Sequence, residues 1–227
     1  MPTAELTRKS ALLSNFQNIT GRIAAACGRA GVDPSTVELL AVTKYAEVED
    51  VKILIEAGAV KTVGENKVRD ARAKWVNGRL ASLKSSVKLH FIGHLQTNKA
   101  KAAVETFDWI DSIDSLKIAA EISRHAVALG RTMPVMIQLK LNNSAAQSGV
   151  TTDKAEELLA GIRNLKNLEP RGYMGIAPEG ASPAELKAVF SEAKRIFDRD
   201  FPVPADSGSV NYLSLGMSGD YEPAVEA

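Results

Sequence analysis

Residues 39–50 read LLAVTKYAEVED. Leu39, Leu40, Ala41 and Val42 make the short apolar run that a buried strand requires. "EVEDVKILIEAGA" just beyond has helical spacing and a stop at Gly58. Thr43 and Lys44 lie at the junction. A strand feeding directly into a helix is a βα unit, so this stretch sets the fold class. The ammonium group at its turn then needs an explanation.

The alternation repeats in both directions. Upstream, residues 5–29 show helical spacing, with Leu12, Phe16, Ile19, Ile23 and Ala26 on one side and Gly31 as the stop. Strands are expected at 37–42, 60–64, 87–93, 108–114, 133–141, 168–176 and 211–215. Between the later ones, "NKVRDARAKWVNG", "QTNKAKAAVETF", "SLKIAAEISRHAVALG", "TDKAEELLAGIRNL" and "SPAELKAVFSEAKRIFDRDF" read as helices. Pro170 cannot donate to a ladder, so it belongs near the start of its strand or at an edge. Strands alternating with helices imply a parallel sheet. A closed (β/α)8 TIM barrel and an open doubly wound sheet both satisfy the pattern, and both put chemistry at the carboxyl ends of the strands. No G-x-G-x-x-G follows a strand, which favours the barrel. With no internal linker of Pro, Gly or Ser, residues 1–227 read as a single domain.

Composition removes several classes of function. The chain is 45% hydrophobic and 24% charged, ordinary for a globular protein. Its 28 basic and 27 acidic residues leave a net charge of +1, so no global field draws it to nucleic acid or anionic lipid. Cys27 is the lone cysteine, which rules out an internal disulfide and fits a reducing compartment. The first residues lack the apolar core of a signal peptide, and no run is long enough to cross a membrane. The expectation is a soluble, cytoplasmic monomer.

In a barrel all carboxyl strand ends meet at one mouth. Lys44 arrives there from the first strand, Glu65 and Asn66 from the second, and His94 and Gln96 from the third. Asp111 and Ser112, then Asn142 and Asn143, then Met174 and Gly175 follow, with Ser214, Gly216, Met217, Ser218 and Gly219 last. An amine in a walled cavity loses hydration, which favours its neutral form, and such an amine condenses with aldehydes. A solvated lysine at a helix start is the plainer alternative. "LSLGMSGDYEPAVEA" shifts the balance. Two glycines admit close approach, and Ser218 at the expected helix start offers an N–H and a hydroxyl to an anion. A plain turn with a Ser N-cap is the competing reading. Amine and anion cradle together suit an aldehyde bearing a phosphate: pyridoxal 5′-phosphate (PLP), or a sugar phosphate as in Schiff-base aldolases.

Other residues carry less. His90 and His94 in "HFIGH" are four apart, but Gly93 intervenes and no carboxylate cluster accompanies them, so no metal site is expected. His125 reads as a helix boundary residue and Cys27 as packed. Glu65 is a candidate acid or base, or a helix-start carboxylate. Lys67, Arg69, Arg72 and Lys74 read as a wet helix face.

"LLAVTKY", "VGEN", "HFIGHLQTNKAKAAVETFDWIDSID", "RGYMGIAP" and "LSLGMSGD" together resemble the pyridoxal-phosphate homeostasis proteins, single-domain relatives of the amino-terminal barrel of alanine racemases. The resemblance runs from about residue 10 to the last. It implies a barrel with PLP joined to Lys44 as an internal aldimine, Asn66 beside the cofactor, and the phosphate held around Ser214, Gly216 and Ser218. It also implies a role in vitamin B6 homeostasis as a carrier or regulator without substrate turnover, with PLP-dependent apo-enzymes as partners. Three departures stand out. Thr43 replaces a common Ser, and Gln147 a common Lys. The strand that in the family follows "MSGD", with its Arg and Gly-Thr pair, is missing from the sequence read here. Seven strands would leave two edges open and hold the cofactor less firmly.

The alternative is a PLP-dependent racemase-like enzyme. Racemization requires acid–base groups on both faces of the substrate. In the racemases a second domain supplies one of them, and this length leaves no room for it. Tyr45 is expected to point away from Lys44.

Overall fold

The computed structural model describes residues 4–142, 147–202 and 210–227. Seven strands run in chain order across one sheet: β1 (Leu40–Val42), β2 (Thr62–Glu65), β3 (Lys88–Phe91), β4 (Trp109–Ile113), β5 (Met133–Lys140), β6 (Leu168–Ile176) and β7 (Tyr212–Ser214). Every neighbouring pair is parallel. The helices are α1 (Ala4–Ala30), α2 (Val48–Glu56), α3 (Val68–Trp75), α4 (Ala100–Thr106), α5 (Leu116–Ala128), α6 (Ala155–Arg163), α7 (Pro183–Asp200) and α8 (Tyr221–Glu226). All seven expected strands are present. The first is shorter than its apolar run because Asp33 caps a 3-10 turn over Pro34–Thr36, and the ladder opens only at Leu40 opposite Thr62.

One face of the sheet packs on helices. Val63, Leu89, Phe91, Ile110, Val135 and Ile137 are buried with apolar residues of α2 to α7 in one cluster. Each such side chain contributes roughly 1.5–3 kcal/mol of burial. Alternation turns His90 and Asp111 to the other face. There Trp109 of β4 meets Tyr212 of β7 edge-to-face at 5.5 Å, although β5 and β6 separate those strands in the sheet. Side chains three strands apart touch only if the sheet curls, so this is a barrel wall with a hollow side. Among the described residues β1 and β7 remain edges, in place of the eighth strand of a closed barrel.

The β5–β6 region is the most extended part of the sheet. Pro170 lies opposite Val135, before the first β6–β7 pair at Gly172 and Tyr212, as a residue without an N–H demands. A register shift follows between Val135 and Ile137, and Gly172 takes φ +144. A Cβ there would lie 1.8 Å from the carbonyl oxygen of Tyr212. α7 begins with a capping box of Ser182 and Glu185. It ends with Asp200, which accepts hydrogen bonds from the Tyr173 hydroxyl at 2.6 Å and from Arg199. Burial pushes the Asp200 carboxyl up, yet these bonds outweigh it and hold the group below its usual range.

Candidate functional site

Lys44 follows β1 by two residues, and Asn66 follows Gly64 of β2 by two. Val42 pairs with Gly64, so Lys44 and Asn66 leave neighbouring strands at the same end of the sheet. Between strand and lysine, Thr43 is fixed on both sides of its peptide. Its N–H donates to the Gly64 carbonyl at 2.9 Å, and its carbonyl accepts from Lys74 Nζ at 2.7 Å. Its hydroxyl donates to Glu65 Oε1 at 2.9 Å, so Thr in place of Ser keeps the group that is used.

Glu65 corrects the sequence reading. It neither lines the mouth as an acid nor starts a helix; it is buried against α3. There it accepts from Lys74 Nζ at 3.1 Å and Trp75 Nε1 at 3.4 Å. Lys74 is correspondingly not part of a wet face. The pair was invisible in the sequence because its members belong to a strand end and a helix end that only folding brings together.

Lys44 itself is half-buried, and its Nζ lies 5.3 Å from the centroid of the Tyr45 ring. The expectation that Tyr45 points away fails because residues 44 and 45 form a turn, where strand alternation no longer applies. Among the described residues, the surroundings of the amine are open on one side. Lys44 follows the edge strand β1, with Val42 49% and Tyr45 81% exposed. One cavity of about 500 Å3 opens at the carboxyl ends of β3 and β4, lined by His94, Gln96 and Asp114 among others. Another, of about 430 Å3, lies under α1 near the starts of β1 and β2. Lys44 lines neither.

The second half of the site follows β7. Ser214 pairs with Met174 and is half-buried. Gly216 takes φ +83, and a Cβ there would lie 2.7 Å from Tyr221 Cα, so a side chain has neither the conformation nor the room. Ser218 is exposed in the turn, three residues before α8. The expected Ser cap is not found: Asp220 occupies the N-cap position, and its carboxylate turns back to accept the Met217 N–H and caps no N–H of α8. Ser218 falls short of the cap because the helix starts only at Tyr221. Lys44 with Asn66, and Ser214 with Gly216 and Ser218, therefore stand at the same end of the sheet on its two edge strands and β2.

Beneath this mouth lies a polar layer: Asp111 and Ser112 were expected at the strand ends, but the pairing of Asp111 with His90 was not. His90 Nδ1 is 2.8 Å from Asp111 Oδ2, and the His90 ring stacks on Trp109 at 5.1 Å. His90 Nε2, Asp111 Oδ1 and Ser112 Oγ are buried with no hydrogen-bond partner among the described residues. His90 pairs with Gly64, the level of Val42, one layer below Lys44. His94 is apart from it, 3.3 Å from Asp114. Among the described residues no three His, Cys, Asp or Glu side chains are placed to hold a metal ion. Cys27 is buried in α1, and His125 lies 3.6 Å from Glu121 within α5. Asn143 is outside the described residues. Gln147 donates to the Ile176 carbonyl at 2.8 Å.

Comparison with known proteins agrees with this arrangement. The family model "Alanine racemase, N-terminal domain" matches residues 14–224. The pyridoxal phosphate homeostasis protein of Vibrio alginolyticus is 32% identical, over 96% of this chain and 92% of its own. PipY of Synechococcus elongatus, solved with PLP bound, is 32% identical, with a TM-score of 0.73 over 92% of this chain and 94% of its own. An unknown protein from Bifidobacterium adolescentis reaches a TM-score of 0.87 at 29% identity, covering all 100% of this chain and 93% of that one. With its curled parallel sheet and a lysine at the end of the first strand, the chain belongs to the alanine racemase N-terminal domain family and, within it, to the pyridoxal phosphate homeostasis proteins.

Proposed function

We propose that this chain binds pyridoxal 5′-phosphate through the amine of Lys44 and serves its homeostasis as a carrier or regulator without substrate turnover. The observation that carries the reading is the pairing of a half-buried amine with a loop built around Gly216 at the same end of one sheet. The residues fit the group. The amine can take the aldehyde carbon, the backbone at 216–218 suits a phosphate, and Asn66 offers an amide at the end of the neighbouring strand. When bound, the cofactor supplies an electron sink for carbanion chemistry. The relatives named for pyridoxal phosphate homeostasis and the PLP-bound PipY support the assignment.

The residues of the chain then have separate tasks. Thr43, held by Gly64, Glu65 and Lys74, fixes the backbone from which Lys44 extends. Ser214, Gly216 and Ser218 would hold the phosphate, and Asn66 the ring side. The half-exposed edge position of Lys44 suits loading and release better than exclusion of water. On this reading residues 1–227 act as one cofactor-holding domain, monomeric and cytoplasmic, that passes PLP to apo-enzymes. No helix among the described residues is long and apolar enough to cross a membrane.

Absorbance of the PLP-loaded protein before and after borohydride, with mapping of the labelled peptide, tests the assignment. Lys44→Ala is expected to abolish the reducible adduct; an unchanged adduct rejects the proposal. A racemase-like second reading draws on Tyr45, whose ring lies against the Lys44 ammonium group. It requires loss of α-deuterium from amino acids at enzymic rates, which the carrier reading does not produce.

A further inference from the structure

The loop 214–219 lies directly before a helix that has little stability of its own. α8 has six residues, far below the length at which an isolated helix persists in water. Its place is set by α7 and above all by α1. Arg22 of α1 donates to Glu222 Oε1 at 2.8 Å, and Arg29 donates to Glu222 Oε2 at 2.9 Å, so the two carboxylate oxygens are taken by two guanidinium groups. Arg29 also donates to Glu226 Oε1 at 2.6 Å. The Arg22 guanidinium lies 5.2 Å from the centroid of the Tyr221 ring. Hydrogen bonds from Arg22 and then Arg29 hold the Glu222 carboxyl below its usual range.

The first residues of α8 in turn touch the loop. Asp220 accepts the Met217 N–H, and the Tyr221 N–H donates to the Met217 carbonyl at 3.0 Å. Gly216 packs so closely on Tyr221 that a Cβ would not fit. A continuous set of contacts thus runs from α1 through Glu222 to the backbone of 216–218.

We infer that Arg22 and Arg29, acting through Glu222, are positioning residues for the anion-holding loop, and that the amino-terminal helix thereby sets how firmly the chain retains a phosphorylated aldehyde. The inference rests on the proposal above that this loop holds the phosphate. An isolated exposed ion pair contributes little, but this one is a shared, two-pronged network on a partly buried carboxylate.

The test compares PLP with pyridoxal, which has the aldehyde but no phosphate. Both are titrated into the full chain as wild type, Glu222→Gln and Arg29→Lys, with thermal unfolding recorded for each. Glu222→Gln is expected to weaken PLP about fivefold while leaving pyridoxal within about twofold. Arg29→Lys keeps the charge and is expected to retain most of the PLP affinity. Equal weakening of both aldehydes, or of neither, overturns the inference. A wild type with no preference for PLP over pyridoxal removes the phosphate role of the loop, and the inference with it. That failure is read in the wild type alone, and so is distinct from a failure of the variants.

Discussion

The two sides of the sheet differ in how they are held. β5 and β6, of eight and nine residues, share seven paired positions and are buried under α6 and α7. β1 and β7 have three residues each, pair on one side only, and carry the lysine and the glycine loop. Stability is concentrated where there is no proposed chemistry, and the proposed chemistry lies where the sheet is least continuous. A molecule that loads and unloads a ligand gains from that division, because the edge can adjust without loosening the core.

The largest expected effect tests the core side. Ile137→Ala on β5 removes a fully buried side chain and should cost about 2–5 kcal/mol, read from urea unfolding. The same truncation at Val42 on β1 should stay within ~0.5 kcal/mol. Comparable losses at both positions would remove the distinction.

Next in size is the joint between α7 and β6. Asp200→Asn weakens the bonds to Tyr173 and Arg199 and should cost about 1–3 kcal/mol at neutral pH. The folded Asp200 carboxyl lies below its unfolded value, so its contribution is present above the unfolded pKa and is lost as pH falls through the folded one. Wild type should therefore lose more stability on acidification than the variant, and parallel acid limbs would contradict this. Gly216→Ala puts a side chain at φ +83 against Tyr221 and should cost about 1–2 kcal/mol. It sharpens the contrast because its main effect should be on ligand: PLP affinity falls, whereas pyridoxal binds as before.

Much of this was legible in the sequence. Short apolar runs between amphipathic stretches announced seven strands, and βα order alone predicted that Lys44 and Ser214 would share a sheet end. What escaped notice depends on partners distant in the chain. Glu65 looked like a site acid because nothing local reveals that Lys74 and Trp75 turn back onto it. Ser218 looked like a cap because Ser is a good cap residue, and only the helix start at Tyr221 shows that it lies too far upstream. Arg22 and Glu222 are nearly the whole chain apart. His90 and Asp111 were seen singly, and their pairing needs the strand register.

Gly172 and Pro170 bear on the precision of β7. Slid toward the start of β6, β7 would come level with Pro170, which has no N–H to offer. Any residue larger than glycine at 172 would push Tyr212 away. The strand therefore has a mechanical stop at its foot, and the height at which Ser214 emerges follows from a point in the chain more than forty residues upstream. Swapping β7 for a strand of the same length and polarity should preserve that height as long as this footing is left intact.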